Sequence, residues 1–355
     1  MASAVDWAVA QRVAVRVAGR EPFSESYHSD SLEPDFAELT AQAEQLVAEE
    51  TGLVSLAGPA RARVTDRAGW IGANVASFQR LLRPIIDKLT TRLDANPLSP
   101  IAQKLAGVEV GMMLGWMSTR VLGQYDLLII EDESPLDQDL VYYVGPNVLA
   151  LEKQFAFPPR EFRLWLALHE VTHRAQFTGI EWMRPYFLDL VTQTLDAVDP
   201  DPKRFIAVLG RLAEARRLGA NPLADGGLMG LVASDEQRQV LDKVSGLMSL
   251  LEGHGDITMD RAGAGLVPSA ERFSRVLRQR RESTQGMARL LQQLIGLEAK
   301  MNQYAQGEAF IREVESVGGP ALLSQAWEGP DRLPTLEEIR EPSRWIARVA
   351  PALAG

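Results

Sequence analysis

The residues with the clearest chemical potential are His169, Glu170 and His173, in the run Leu164-Trp-Leu-Ala-Leu-His-Glu-Val-Thr-His-Arg-Ala-Gln-Phe177. Their spacing is H-E-x-x-H. On a helix, positions four apart lie one turn from each other on the same face, so two imidazoles can grip one metal ion. Glu170 is rotated by about 100° from His169 and reaches toward a water rather than toward the metal. Zinc lowers the pKa of such a water to roughly 7, and a neighbouring carboxylate takes its proton as it attacks a carbonyl. The alternative is an amphipathic core helix carrying two satisfied histidines.

The flanks of the motif predict a helix. Pro158 and Pro159 suit its start and Gly179 its end, with no Pro or Gly between. Phe162, Trp165, Leu166 and Leu168 give it much apolar surface.

A catalytic zinc site needs a third protein ligand and one open position. The chain has no cysteine and four histidines, His28, His169, His173 and His254, so any metal must be held by His, Asp or Glu. The continuation H-E-x-x-H-x-x-G-x-x-H is excluded, because Gln176 and Gly179 stand where it needs Gly and His. The remaining region is Leu250-Leu-Glu-Gly-His-Gly-Asp-Ile-Thr-Met-Asp260. Glu252 and Asp256 share a helical face there. That suits Glu252 as the ligand, with Asp256 bonding the free nitrogen of a ligating imidazole. His254 is the rival ligand, rotated by about 200° from Glu252 on an ideal helix. Gly253 and Gly255 weaken the helix enough for a break to change that geometry. If His254 is not a ligand, it is a candidate oxyanion donor, with Tyr143 a further candidate for contact with substrate.

These two segments resemble the glutamate-ligand zincins, such as the thermolysin group. In those proteins a downstream Glu is the third zinc ligand and the Asp four residues later supports the site. A wider pattern includes Gly111–Ile130, the His169–His173 stretch, Leu251-Glu-Gly-His254 and Lys300-x-x-Gln-Tyr304-x-x-Gly307. Together these resemble a family of bacterial and archaeal zincin-like proteins, classed as hydrolases for their metallopeptidase-like motif. Some of its members are grouped with deazaflavin-cofactor biosynthesis. The resemblance implies a mostly helical zincin-like fold and no particular substrate.

The elements that must position these residues read as mainly α with a small β-sheet (α+β). Helices are expected over residues 5–18, 33–50, 70–93, 97–123, 183–197, 201–218, 233–251, 268–282 and 287–317. Leu53–Pro59 reads as a connector, and the arginines from Arg61 to Arg83 as a solvated face or ion-pair set. Gly107, Gly111 and Gly115 recur every four residues. Each costs roughly 1 kcal/mol of helix propensity against Ala, which points to close approach of a neighbouring helix. Tyr125–Ile130 and Leu140–Val144 read as strands, joined by a solvated acidic loop over 131–139, with a turn at Gly145-Pro-Asn147. In zinc peptidases an edge strand beside the metal helix pairs with extended substrate, and residues 140–151 are the expected edge. Residues 219–230 read as a linker, and Trp345 as the anchor of a Pro-punctuated tail. An N-terminal helical region, 1–124, and a zincin-like region, 125–355, are the expected divisions, with no linker that forces a boundary.

A chain of 355 residues with 46% hydrophobic and 24% charged content is that of an ordinary globular protein. The net charge of −10 argues against nucleic-acid binding. No apolar stretch is long enough to span a bilayer, and the N-terminus lacks a signal-peptide pattern, so a cytoplasmic location is expected. The leading expectation is a zinc metallopeptidase. Two alternatives are a zinc amidohydrolase acting on a small-molecule amide and an inactive scaffold used for binding. Oligomeric state is not legible.

Overall fold

The computed structural model describes residues 5–23, 26–81, 99–127, 139–196, 235–282 and 297–353. The helix expected at 201–218 and the linker at 219–230 lie outside them. The chain forms two compact units: residues 1–181 with 258–278, and residues 182–257 with 279–355. All three strands of the small sheet belong to the first unit.

The first unit contains α1 (Trp7–Ala18), α2 (Leu32–Thr51), β1 (Arg61–Thr65), α3 (Arg67–Leu81) and α4 (Ser99–Ser118). It continues with β2 (Gly123–Tyr125), β3 (Leu140–Val144), α5 (Gly145–Phe155) and α6 (Pro159–Thr178). The sheet order is β1-β3-β2, with β1 parallel and β2 antiparallel to β3. The mainly α architecture with a small sheet is therefore as expected, but three details differ. The stretch Arg61–Thr65, expected as part of a basic face, is a strand whose residues are all half-buried. β3 is the central strand, so residues 140–144 present no open edge to a substrate. Residues 145–147 begin a helix rather than form a turn, since Pro146 at the start of α5 needs no N–H partner there.

The glycine stripe of α4 lies against α1. A Cβ at Gly107 would meet the Asp6 carbonyl oxygen at 2.4 Å, and at Gly111 and Gly115 those of Ala10 and Ala14 at 2.5 Å. Backbone approach of this kind offsets the lost helix propensity and leaves no room even for alanine.

The second unit contains α7 (Met183–Asp196), α8 (Asp235–Ala262) up to Ile257, α10 (Leu297–Ser324), α11 (Leu336–Arg340) and α12 (Pro342–Val349). The last turn of α8 and most of α9 (Ala270–Glu282) belong to the first unit. α8 runs unbroken through Gly253 and Gly255. Gly253 is needed where α8 crosses α10: a Cβ there would stand 2.4 Å from the Gly307 carbonyl carbon. Trp345 anchors the tail as expected. It is fully buried against Phe310, and its Nε1 donates to the Arg332 carbonyl at 2.8 Å.

Candidate metal centre

α6 forms as its sequence predicts. Pro159 occupies the first turn, Gly179 is the C-cap, and Gly179 N–H donates to the Ala175 carbonyl at 2.7 Å. Fourteen of its residues are buried, among them Phe162, Leu166, Leu168 and Val171, so packing on nearly all sides fixes the helix in register. Between the covered positions of the helix, His169 and His173 are only half-buried.

Their rings meet edge to face, with Nε2 of one 3.2 Å from Nε2 of the other. Zinc ligand atoms held tetrahedrally at about 2.0–2.1 Å stand roughly 3.3–3.4 Å apart, so the pair has the separation of two ligands of one ion. The other nitrogen of His173, Nδ1, lies 3.0 Å from Oε1 of the fully buried Gln176. An Nδ1–H donated to that oxygen leaves the Nε2 lone pair for a metal. Gln176 entered the sequence reading only as the residue that breaks the three-histidine motif. Its spacing of three from a ligating histidine was the signal available for this role.

Glu170 is buried, and Oε2 accepts the backbone N–H of Tyr125 at 3.1 Å. Gly123 adjoins the same carboxylate. A Cβ at that position would stand 2.7 Å from Oε1. The next turn of α6 reaches the same strand by another route. Arg174, 1% exposed, donates to Asp139 and Glu44, and Asp139 in turn accepts from the Tyr125 hydroxyl at 3.1 Å. The end of the expected solvated acidic loop is thus a buried ion-pair partner. Asp139 turns inward because the Arg174 guanidinium beside it compensates its charge.

Among the described residues, one group of His, Asp and Glu side chains is composed to hold a metal ion. His169, His173 and Glu252 each offer one ligand atom, all within 4.8 Å of one another, and each residue is half-buried. This two-nitrogen, one-oxygen donor set suits a borderline metal such as zinc and leaves a fourth position open. On α8, Asp256 lies one turn beyond Glu252 and is also half-buried. His254 is buried, with its ring edge to face on Trp327 at 5.1 Å between centroids.

Tyr143 does not sit where a substrate contact is needed. It is fully buried on β3, stacked on Phe36, with its hydroxyl 2.8 Å from Thr40 Oγ1. Burial pushes this hydroxyl well above the usual phenol range, the Thr40 hydrogen bond opposes that, and the Glu170 charge adds to the rise. β3 is the central strand and is covered on both faces, with Tyr143 and its neighbour Val144 both fully buried, which the sequence left open.

Among the described residues no helix is long and apolar enough to cross a membrane. No curated protein matches the chain. A solved structure from Chloroflexus aurantiacus, described as a "putative hydrolase with a novel fold", is similar to it at a TM-score of 0.70 and 31% identity. The match covers 97% of this chain and 98% of the other. The sequence profile of a family described as "Zincin-like metallopeptidase" matches residues 5–346, nearly the whole length. With its H-E-x-x-H helix and its His-His-Glu group, the chain belongs to the zincin-like metallopeptidase family.

Proposed function

We propose that the protein is a zinc-dependent hydrolase of amide bonds, first of all a metallopeptidase. His169, His173 and Glu252 would hold the ion, and Asp256 would bond the free nitrogen of a ligating imidazole. The observation that carries this reading is the pair of Nε2 atoms turned toward each other, with Gln176 fixing the second ring. When bound, zinc supplies Lewis acidity toward the scissile carbonyl and toward water.

The remaining work falls to Glu170. Its Oε2 is held by the Tyr125 N–H, so the carboxylate is kept in one orientation. Oε1 takes the proton of the attacking water and passes it to the departing amine nitrogen. Burial keeps bulk water from competing for that carboxylate. His254 packs on Trp327; in this reading it stands outside the ligand set and would give a hydrogen bond to the developing oxyanion.

A second reading, hydrolysis of a small-molecule amide, is favoured by the edge strand. β2 has three residues. Leu122 O and Asp126 N bond to β3, so the backbone groups of Gly123 and Tyr125 face the outer edge, and Glu170 already takes the Tyr125 N–H. Little edge is left for an extended polypeptide, and a substrate with one or two amides matches it better.

The test is hydrolysis by zinc-loaded protein of a mixed peptide library and a panel of small N-acyl amides, with and without chelator. Turnover that disappears with chelator and with Glu170→Gln supports the reading. Turnover that survives both overturns it.

A further inference from the structure

We propose that β2 is the positioning element for Glu170, and that residue 123 is glycine because the carboxylate occupies the room its side chain would need. The proposal rests on Glu170 being the base.

Two contacts join the strand to this carboxylate. Tyr125 N–H donates to Oε2 at 3.1 Å. A Cβ on Gly123 would lie 2.7 Å from both Cγ and Oε1 and 2.9 Å from Cδ. These atoms include the root of the carboxylate as well as its tip, so rotation of the terminal group alone does not relieve the overlap. The φ of Gly123 is not positive, so backbone strain does not explain the glycine.

The strand is itself held firmly. On one side the Gln124 side chain accepts from Trp70 Nε1 at 2.8 Å and donates to Asn74 at 3.2 Å. On the other, the Tyr125 hydroxyl bonds Asp139, which pairs with Arg174. Glu170 and Arg174 lie one turn apart on α6, so helix and strand are tied together at two successive turns. A strand so pinned cannot retreat from a methyl group at position 123, and the carboxylate must move instead. Gly123 and Tyr125 are therefore positioning residues that act through Glu170.

The experiment uses full-length zinc-loaded protein and acetohydroxamic acid, which gives up its hydroxyl proton to the base as its anion binds the metal. Zinc affinity and acetohydroxamate affinity are measured for wild type, Gly123→Ala, Glu170→Gln and the double variant. Gly123→Ala is expected to keep its zinc but bind acetohydroxamate at least ~10-fold more weakly, through the displaced base. The double variant should bind no more weakly than Glu170→Gln alone, since both changes remove one function. Unchanged acetohydroxamate affinity in Gly123→Ala, or losses that multiply in the double variant, overturns the proposal. If Gly123→Ala folds poorly, adding Glu170→Ala should restore its melting temperature by freeing the space; failure to do so also overturns it. Zinc-loaded wild type that does not bind acetohydroxamate sinks the reading of Glu170 as base, and the proposal with it.

Discussion

The Nε2 atoms of His169 and His173 face each other at 3.2 Å across one turn of α6. Without an ion the two rings can share one N–H between these atoms, whereas an ion between them uses both lone pairs. Protein purified without chelator is expected to carry about one zinc per chain, and His169→Ala or His173→Ala to carry none. Elemental analysis checks this, and wild-type metal content in either variant would rule out the site.

Gln176 is expected to matter for metal binding through His173. Gln176→Leu keeps the volume but removes the acceptor for Nδ1. Zinc affinity should fall by roughly 10- to 100-fold, the usual effect of losing a partner behind a ligating histidine. A competition titration reads this directly. An unchanged affinity would mean that Nδ1 does not depend on Gln176.

Glu170→Gln is expected to keep zinc and fold while losing at least ~10²-fold in hydrolysis, because an amide cannot accept the proton. The check is kcat on any substrate found by screening, alongside metal content. A wild-type rate would remove Glu170 from the mechanism.

Much of this was legible in the sequence because the signals are local. The H-E-x-x-H helix carries its own Pro start, Gly end and apolar surface within about 20 residues. The Gly107/Gly111/Gly115 stripe announced a close helix contact by the propensity it sacrifices, and α1 supplies it. What the sequence hid depends on distant partners. β1 pairs with β3 in parallel across some 75 residues, and its Arg-Ala-Arg-Val-Thr reads as a polar surface until that pairing is known. The same pairing moved β3 to the centre of the sheet and left β2 beside Glu170. Asp139 looked like the end of a solvated acidic run because Arg174, its partner, lies 35 positions away.

Arg174 offers a stability test independent of the chemistry. It is almost wholly buried between Asp139, Glu44 and the Gly58 carbonyl. Arg174→Met leaves the buried Asp139 charge uncompensated, and the loss is expected to be about 3–5 kcal/mol. Urea unfolding measures it, and a loss under about 1 kcal/mol would show that the pair is solvated.

The choice of third ligand bears most directly on the metal centre as a whole. Glu252 joins His169 and His173 in one group of ligand atoms, while His254 packs on Trp327. The decisive measurement is zinc affinity, by competition with a chromophoric chelator, for wild type, Glu252→Ala and His254→Ala. Glu252→Ala is expected to weaken zinc by at least ~10²-fold and His254→Ala by no more than about threefold, a ligand being worth more than a neighbour. Loss of zinc from His254→Ala with retention by Glu252→Ala would contradict the His169, His173 and Glu252 centre.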